Sequence, residues 1–162
     1  MRVCILTHTI QRYSKDNVSS TFMHGLAEGL VKAGNEVFVL TPYSPGFLKG
    51  SMKRNYKLVT YKYIFPVSLH MLGYSETLTD DKELKLIMWF LAPFMYFFGT
   101  IALLRLVKLK KIEIVNAHWI LPNGFIASIV SLFTGVLVVS SLPGSDVYMA
   151  KKNFLFSWMA KF

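Results

Sequence analysis

One stretch of the chain, Ile112–Asp146, limits the possible folds more than any other. It contains two short apolar runs rich in β-branched residues, Ile112–Val115 and Val136–Ser140, as buried parallel strands do. Between them, Asn123–Phe133 carries apolar residues at helical spacing, and Gly135 follows as a helix-ending residue. The stretch is therefore predicted to be a strand–helix–strand unit. Its functional residues are expected beyond the carboxyl ends of the strands, where open parallel sheets bind ligands.

The start of the chain predicts a second unit of the same kind. Arg2–Thr7 is an apolar strand, and the polar loop Thr9–Ser20 leads into a helix at about Ser20–Ala33. Gly34 caps that helix, and Glu36–Leu40 is the next buried strand. Two such units in 162 residues predict an α/β fold: one doubly wound domain with a mostly parallel, Rossmann-like sheet.

The composition agrees with one packed domain and narrows the range of partners. Hydrophobic residues make up 53% of the chain, with 13 Phe and 8 Tyr, which is enough for a large core and argues against disorder. The formal charge of +9 favours an anionic partner: nucleic acid, anionic lipid or a phosphorylated small molecule. Cys4 is expected in the core of the first strand. As the single cysteine it cannot form an internal disulfide, which fits a reducing compartment.

A basic segment, Ser44–Lys62, follows the second strand and contains no acidic residue. It has two interpretations. It is either a solvated loop leading into a third strand near Leu58–Tyr63, or a patch that faces anionic lipid head groups or a phosphorylated substrate.

An apolar segment, Leu86–Leu104, contains no charged residue and is long enough to cross a bilayer, with Pro93 inside it. A crossing would place the two predicted units on opposite sides of the membrane, so that their strands could not share one sheet. A helix buried in the domain or lying in the membrane interface is therefore favoured over a span. The residues expected to face a membrane are Trp89, Phe90, Phe94 and Phe97, with Lys49, Lys53 and Arg54 supplying charge.

Several kinds of active site are excluded by motifs that the sequence lacks. The loop after the first strand has no Gly-rich dinucleotide fingerprint, and no phosphate-binding P-loop or G-x-S-x-G turn is present. The four histidines show no metal-ligand spacing, so no metal site is expected.

Polar residues around the first strand tip of Ile112–Asp146 are candidates for chemistry. His118 is expected just past the strand end, with Trp119 beside it. It is either a structural histidine or a group that hydrogen-bonds a sugar hydroxyl or a phosphate. Asn123 and Gly124 are expected to begin a helix whose free N–H groups can face an anion.

A turn and a second helix N-terminus complete the predicted crevice. Gly144, Ser145 and Asp146 form a tight turn after the last predicted strand, and Asp146 is either a helix cap or a ligand-binding residue. The helix that begins near Ser20, capped by Ser19 or Ser20, offers another anion-ready N-terminus.

Four sequence blocks, taken in order, carry a resemblance to a known family. They are DNVSSTF at 16–22, GNEVFVLTPYSPG at 34–46, NAHWILPNGF at 116–125 and VVSSLPGSDVY at 138–148. Together they resemble the N-terminal domain of family 4 glycosyltransferases, which are enzymes of the two-domain GT-B fold. The likeness covers essentially the whole chain. It departs at Pro143, where the family commonly has a histidine, and in the first loop, which lacks a frequent Gly-Gly pair.

The resemblance implies transfer of a sugar from a nucleotide diphosphate sugar to an acceptor, usually with retention of configuration. The nucleotide sugar is then a co-substrate, and neither a cofactor nor a nucleic-acid partner is expected. His118 would be the catalytic residue at the reaction centre. Together with the strand-tip residues above, the candidate substrate-binding set is Asp16, Asn17, Ser19, Trp119, Asn123, Gly124, Gly144, Ser145 and Asp146.

The resemblance also implies a setting. Residues 1–162 would form the acceptor-side domain of an enzyme of cell-surface or exopolysaccharide assembly. The apolar segment Leu86–Leu104 and the basic residues described above predict that this domain is peripheral on the cytoplasmic face of the membrane. Its acceptor would be a sugar or a lipid-linked acceptor molecule. The donor-binding domain, which this chain lacks, would come from the same gene or from a separate chain. One alternative is a non-catalytic truncated or split-gene fragment that binds an acceptor or a membrane. Another is a single-pass membrane protein.

Overall fold

The computed structural model describes residues 1–15, 21–70, 72–74 and 86–142, together with residues 154, 157 and 158. In the helix that begins at residue 86, side chains are described from residue 89 onwards. The strands are β1 (Arg2–Leu6), β2 (Glu36–Pro42), β3 (Lys57–Tyr61), β4 (Ile114–His118) and β5 (Leu137–Ser141). The α-helices are α1 (Thr21–Lys32), α2 (Leu86–Lys110) and α3 (Phe125–Thr134), and short 3₁₀ turns lie at Pro45–Leu48 and Val67–Leu69.

The five strands form one sheet in the order β3-β2-β1-β4-β5, and every neighbouring pair is parallel. The chain builds the sheet from β1 outward to β3 and then returns past β1 to form β4 and β5. This order confirms the predicted doubly wound α/β fold. The direction of winding reverses between β1 and β4, which makes the carboxyl ends of these two strands the topological switch point of the sheet.

Each face of the sheet has its own core, because successive strand residues point to opposite faces. On one face α1 covers the sheet, and on the other α2 and α3 pack against it and against each other. Cys4 is fully buried in the core between the sheet and the helices α2 and α3, as predicted. The α1 core contains Ile5, Val37, Val39, Met23 and Ala27. The α2–α3 core contains Cys4, Leu6, Phe38, Leu40, Val115, Leu91, Met95, Leu103 and Ile126.

The β4 strand lies later in the chain than predicted. The sequence placed it at Ile112–Val115, but its pairing with β5 continues until His118 lies opposite Ser141. His118 is therefore the last residue of the strand rather than a residue beyond it. The α3 helix also begins later, at Phe125 instead of Asn123, because a wide turn precedes it.

The α2 helix confirms a helix where the apolar segment was found, and it extends to Lys110. Buried Gly99 permits a close approach to the sheet and to α3, since an added Cβ would lie 3.0 Å from the Tyr61 hydroxyl and from Ile126 Cδ1. Pro93 lies on the exposed side. By length and composition alone, Trp89–Lys110 could cross a membrane.

Candidate functional site

Two histidines meet at the switch point of the sheet. His8 lies two residues beyond β1, and His118 ends the neighbouring strand β4. Trp119 contacts both imidazoles, with ring centroids 4.3 Å from His8 and 4.4 Å from His118. His8 was not among the predicted site residues. The signal that would have identified it is its position directly past the first strand.

The backbone of Trp119 has an unusual conformation, with φ of 68° and ψ of 134°. Positive φ is rare for a bulky side chain and costs on the order of 1–3 kcal/mol. The Trp119 N–H donates to the Ser141 carbonyl at 3.0 Å, so β5 holds the turn in place. Strained backbone of this kind concentrates at ligand-binding and catalytic sites, which favours a functional role for this corner.

Asn123 joins the two histidines from beneath. Its side chain is fully buried, and Nδ2 donates to the His118 carbonyl at 2.6 Å and lies 3.2 Å from His8 Nδ1. If Nδ2 donates its second hydrogen there, His8 Nδ1 is the acceptor and the proton of the neutral ring sits on Nε2. Asn123 Oδ1 has no hydrogen-bond partner in the described part of the chain. Asn123 therefore positions the histidines rather than opening towards an anion.

The expectation of a free anion-binding amide at Gly124 is wrong. The Gly124 N–H donates to the Trp119 carbonyl at 3.0 Å, which closes the wide turn before α3. The N–H of Phe125 is likewise directed at carbonyls of the same turn. A helix N-terminus whose amides are already used in this way offers little to a phosphate.

Burial keeps both imidazoles neutral near pH 7. It lowers the pKa of His118, and burial with a smaller contribution from a charged His118 lowers the pKa of His8 to about 4. Neither ring nitrogen of His118 has a hydrogen-bond partner among the described residues. His118 is only 7% exposed, so its ring lies within the fold rather than open to solvent. Two unpaired buried nitrogens are costly unless a ligand satisfies them.

Phe22 covers His118 and places the start of α1 at the site. Its ring centroid lies 5.0 Å from that of His118 and 6.2 Å from that of Trp119, while its own side chain is 46% exposed. Because Phe22 belongs to the first turn of α1, the N-terminus of this helix opens beside the histidines. The positive end of the helix dipole favours anions there.

Residues 72–74, the described part of a loop, close the site on the β2 side. Gly73 has φ of +98°, and an added Cβ would lie 2.1 Å from the His8 carbonyl oxygen, so only glycine fits. The Tyr74 hydroxyl lies 2.9 Å from Thr41 Oγ1 and donates to the Pro42 carbonyl at 3.1 Å. The guanidinium of Arg12, 5.0 Å from the Tyr74 ring centre, adds a fixed positive charge on this side.

Six predicted site residues fall outside the part of the chain that the structure describes. Those six are Asp16, Asn17, Ser19, Gly144, Ser145 and Asp146. Within the described ranges, no group of three His, Cys, Asp or Glu side chains could hold a metal ion.

The basic and aromatic residues predicted to face a membrane lie on opposite sides of the sheet. Phe47 and Tyr56, which flank the basic set, pack into the α1 core, and Asn55 donates to the Glu28 carboxylate of α1 at 2.9 and 2.7 Å. The aromatic set belongs to α2, which covers the other face. The structure therefore does not bring Trp89, Phe90, Phe94 and Phe97 together with Lys49, Lys53 and Arg54.

Arg54 has a role within the domain. Its Nη2 donates to the carbonyls of Gln11 at 3.2 Å and Arg12 at 2.8 Å, and Nη1 donates to the Met52 carbonyl at 3.3 Å. The guanidinium thus fixes the loop after β1 against the connection that follows β2.

Comparison with known proteins gives a family. A family model described as glycosyl transferase 4-like matches residues 15–162. No curated protein matches the sequence. Among solved structures, the chain is similar to a Listeria monocytogenes protein assigned as a UDP-N-acetylglucosamine 2-epimerase, with 10% sequence identity and a TM-score of 0.47. That match covers 86% of this chain and only 30% of the solved one. The predicted family is confirmed by the family model, which takes in nearly the whole sequence: the chain belongs to the glycosyl transferase 4-like family.

Proposed function

We propose that this domain is the acceptor side of a glycosyltransferase that moves a sugar from a nucleotide diphosphate sugar to a cell-surface glycan or lipid-linked acceptor. The observation that carries the proposal is the buried corner formed by His8, His118, Trp119 and Asn123 at the switch point of the sheet. Family membership supports the reaction class.

The neutral imidazole of His118 is suited to a sugar hydroxyl. One ring nitrogen accepts a hydrogen bond and the other donates, and neither is used by the described residues. Asn123 holds the backbone carbonyl of His118, so the ring is presented from a fixed position. The half-buried Trp119 provides an apolar ring face beside it for a pyranose.

Substrate access to His118 requires Phe22 to move aside or to become part of the binding surface. Phe22 is partly exposed and lies at the first turn of α1, where the chain enters the helix from residues 16–20. A ligand that displaces this ring also reaches the N-terminus of α1. The same step would therefore bring a hydroxyl to the imidazole and a phosphate to the helix dipole.

The chemistry proposed is electrostatic. The three acidic residues in the described part of the chain, Glu28, Glu36 and Glu113, lie on α1 or at the amino ends of the strands, away from this corner. Polar donors and the helix dipole would stabilise the charge that develops on the leaving diphosphate. The second domain of the family would hold most of the donor.

The test replaces His118 in an enzyme that carries this chain together with its donor-binding domain. His118→Phe preserves the ring shape and removes both unpaired nitrogens, so we expect unchanged or slightly raised thermal stability. We expect kcat for sugar transfer to fall on the order of 10²-fold, as when one preorganised polar group is removed.

His24→Phe is the matched control. His24 lies on α1 and bonds the Tyr56 hydroxyl at 3.1 Å, on the far side of the helix from the site, so its replacement should leave kcat within a few-fold of wild type. If His118→Phe also stays within a few-fold, His118 is a packing residue and the proposed centre is wrong.

A further inference from the structure

We propose that the outer face of α2 docks on an anionic lipid bilayer with the helix axis in the membrane plane. The outer face is defined by residues three or four positions apart on one side of the helix. They are Phe90, Phe94, Phe97, Ile101, Arg105 and Lys108. The inference concerns attachment alone and holds independently of which sugar is transferred.

The first observation is that α2 is apolar on both sides, although the described residues of the chain pack against only one of them. Leu91, Met95 and Leu103 are buried in the core beneath the helix. On the outer face, the side chains of Phe90 and Phe97 are 66% and 60% exposed. Contiguous exposed aromatic surface of this kind marks an interaction site.

The second observation is the order of chemistry along the outer face. Aromatic rings occupy its first half, and the cations Arg105 and Lys108 follow, with about 16 Å between Phe94 and Arg105 at 1.5 Å per residue. Interfacial helices bind in this way, with rings at the acyl boundary and flexible cations reaching the head groups. The exposed cations and the net charge of +9 complement anionic lipid and oppose a second copy of the chain.

The third observation fixes the orientation. Buried residues recur along α2 from Leu91 to Val107, so the helix lies against the sheet and α3 over most of its length. A bilayer that touches the outer face therefore meets the helix lengthwise. This is an alternative to the span that length and composition permit.

The charge for docking comes from α2 itself. Lys49 and Lys53, expected from the sequence to supply it, belong to the connection packed beside α1 on the other face of the sheet. Removing two cations from each face therefore gives a matched pair of variants. Arg105→Gln/Lys108→Gln changes the proposed surface, and Lys49→Gln/Lys53→Gln changes the net charge equally elsewhere.

The test measures co-sedimentation with vesicles of phosphatidylcholine, with and without phosphatidylglycerol. Wild-type protein should pellet only with the anionic vesicles. Arg105→Gln/Lys108→Gln should weaken that binding roughly 30-fold, at about 1 kcal/mol per cation, and Lys49→Gln/Lys53→Gln less than about threefold. Phe90→Ser/Phe97→Ser should weaken it by about tenfold or more through lost apolar contact. Binding unchanged in the α2 variants, or reduced equally by both cation pairs, overturns the proposal.

A spin label provides an independent readout of depth. Cys4 is fully buried, and burial raises the pKa of its thiol to about 12, so a nitroxide reagent labels an introduced cysteine selectively. With anionic vesicles, a label at Phe97→Cys should gain contact with oxygen and lose contact with a water-soluble nickel complex. A label at Lys53→Cys should change in neither respect.

Two results, one from the spin labels and one from sedimentation velocity, would overturn the proposal. One is equal exposure to the nickel complex at both labelled positions. The other is that Phe90→Ser/Phe97→Ser changes the oligomeric state in sedimentation velocity while leaving vesicle binding intact, which would make a second copy the occupant.

Discussion

His8 and His118 share one buried corner that disfavours the charged form of both imidazoles. Burial is the larger cause, and the nearby imidazole adds to it for His8. The consequence is a pair of neutral rings: Asn123 Nδ2 lies beside Nδ1 of the His8 ring, and it holds His118 through the backbone carbonyl only. Both rings are neutral and polar at neutral pH, and charging them in acid destabilises the folded domain.

We predict that acid destabilises the domain through His8. Its folded-state pKa of about 4 lies below the ordinary value of 6.5, so the unfolded chain binds more protons between these pH values and stability falls as pH drops through them. The expected loss attributable to His8 between pH 7 and pH 5 is about 2 kcal/mol, at 1.36 kcal/mol per pKa unit. Urea unfolding at both pH values measures it. His8→Gln should lose that part of the pH dependence, and an unchanged dependence in this variant would contradict the assignment.

The site could be predicted from the sequence only where local signals define it. His118 and Trp119 were found because a turn signal follows an apolar run. His8 was missed because its importance comes from the pairing of β1 with β4, which is a tertiary fact. The unpaired nitrogens of His118 and the ring of Phe22 above them are also tertiary facts, which no periodicity in the chain reveals.

Among the elements, β4 shows why strand ends were harder to predict than strands. Its polar residues Asn116 and His118 indicated a loop, since buried parallel strands are usually continuously apolar. They belong to the strand nevertheless, because β5 pairs with it as far as Ser141. The apolar runs of β1, β2 and β5 and the helical spacing of α1 had no such interruption and were predicted to within about two residues.

We predict that shortening a buried side chain of α2 destabilises the domain, as it does in a core helix. Leu103 is fully buried, and Leu103→Ala should lower the free energy of unfolding by about 2–5 kcal/mol. Leu109 on the same helix is 77% exposed, and Leu109→Ala should stay within about 0.5 kcal/mol of wild type. Chemical denaturation of the two variants provides the comparison. Equal effects would mean that α2 does not pack on the sheet in solution.

On the scale of the whole molecule, the doubly wound sheet was predictable because two strand–helix–strand units in one chain leave few ways to form a single sheet. The strand order, which brings β4 beside β1, could not be predicted from either unit alone. The fold and the family are thus established.

We predict that the 162-residue chain alone does not transfer sugar. By family resemblance the donor is held chiefly by a second domain, and the described site lacks any carboxylate that could replace it. Incubation with labelled nucleotide sugars and candidate acceptors should give no product above background, and adding a chain that supplies the donor domain should restore it. Transfer by the purified chain on its own would show that the histidine corner is a complete active site.

The pairing of β1 with β4 also has a consequence for how the protein is made. Cys4 lies opposite Val115 in the sheet, and α3, which covers part of α2, ends only at Thr134. At 5–20 residues per second, a ribosome needs roughly one to five seconds to pass from Lys110 to Thr134. During that interval α2, which is long and apolar enough to cross a membrane, is a nascent helix without its final neighbour. The rate of translation through these two dozen codons sets how long that interval lasts.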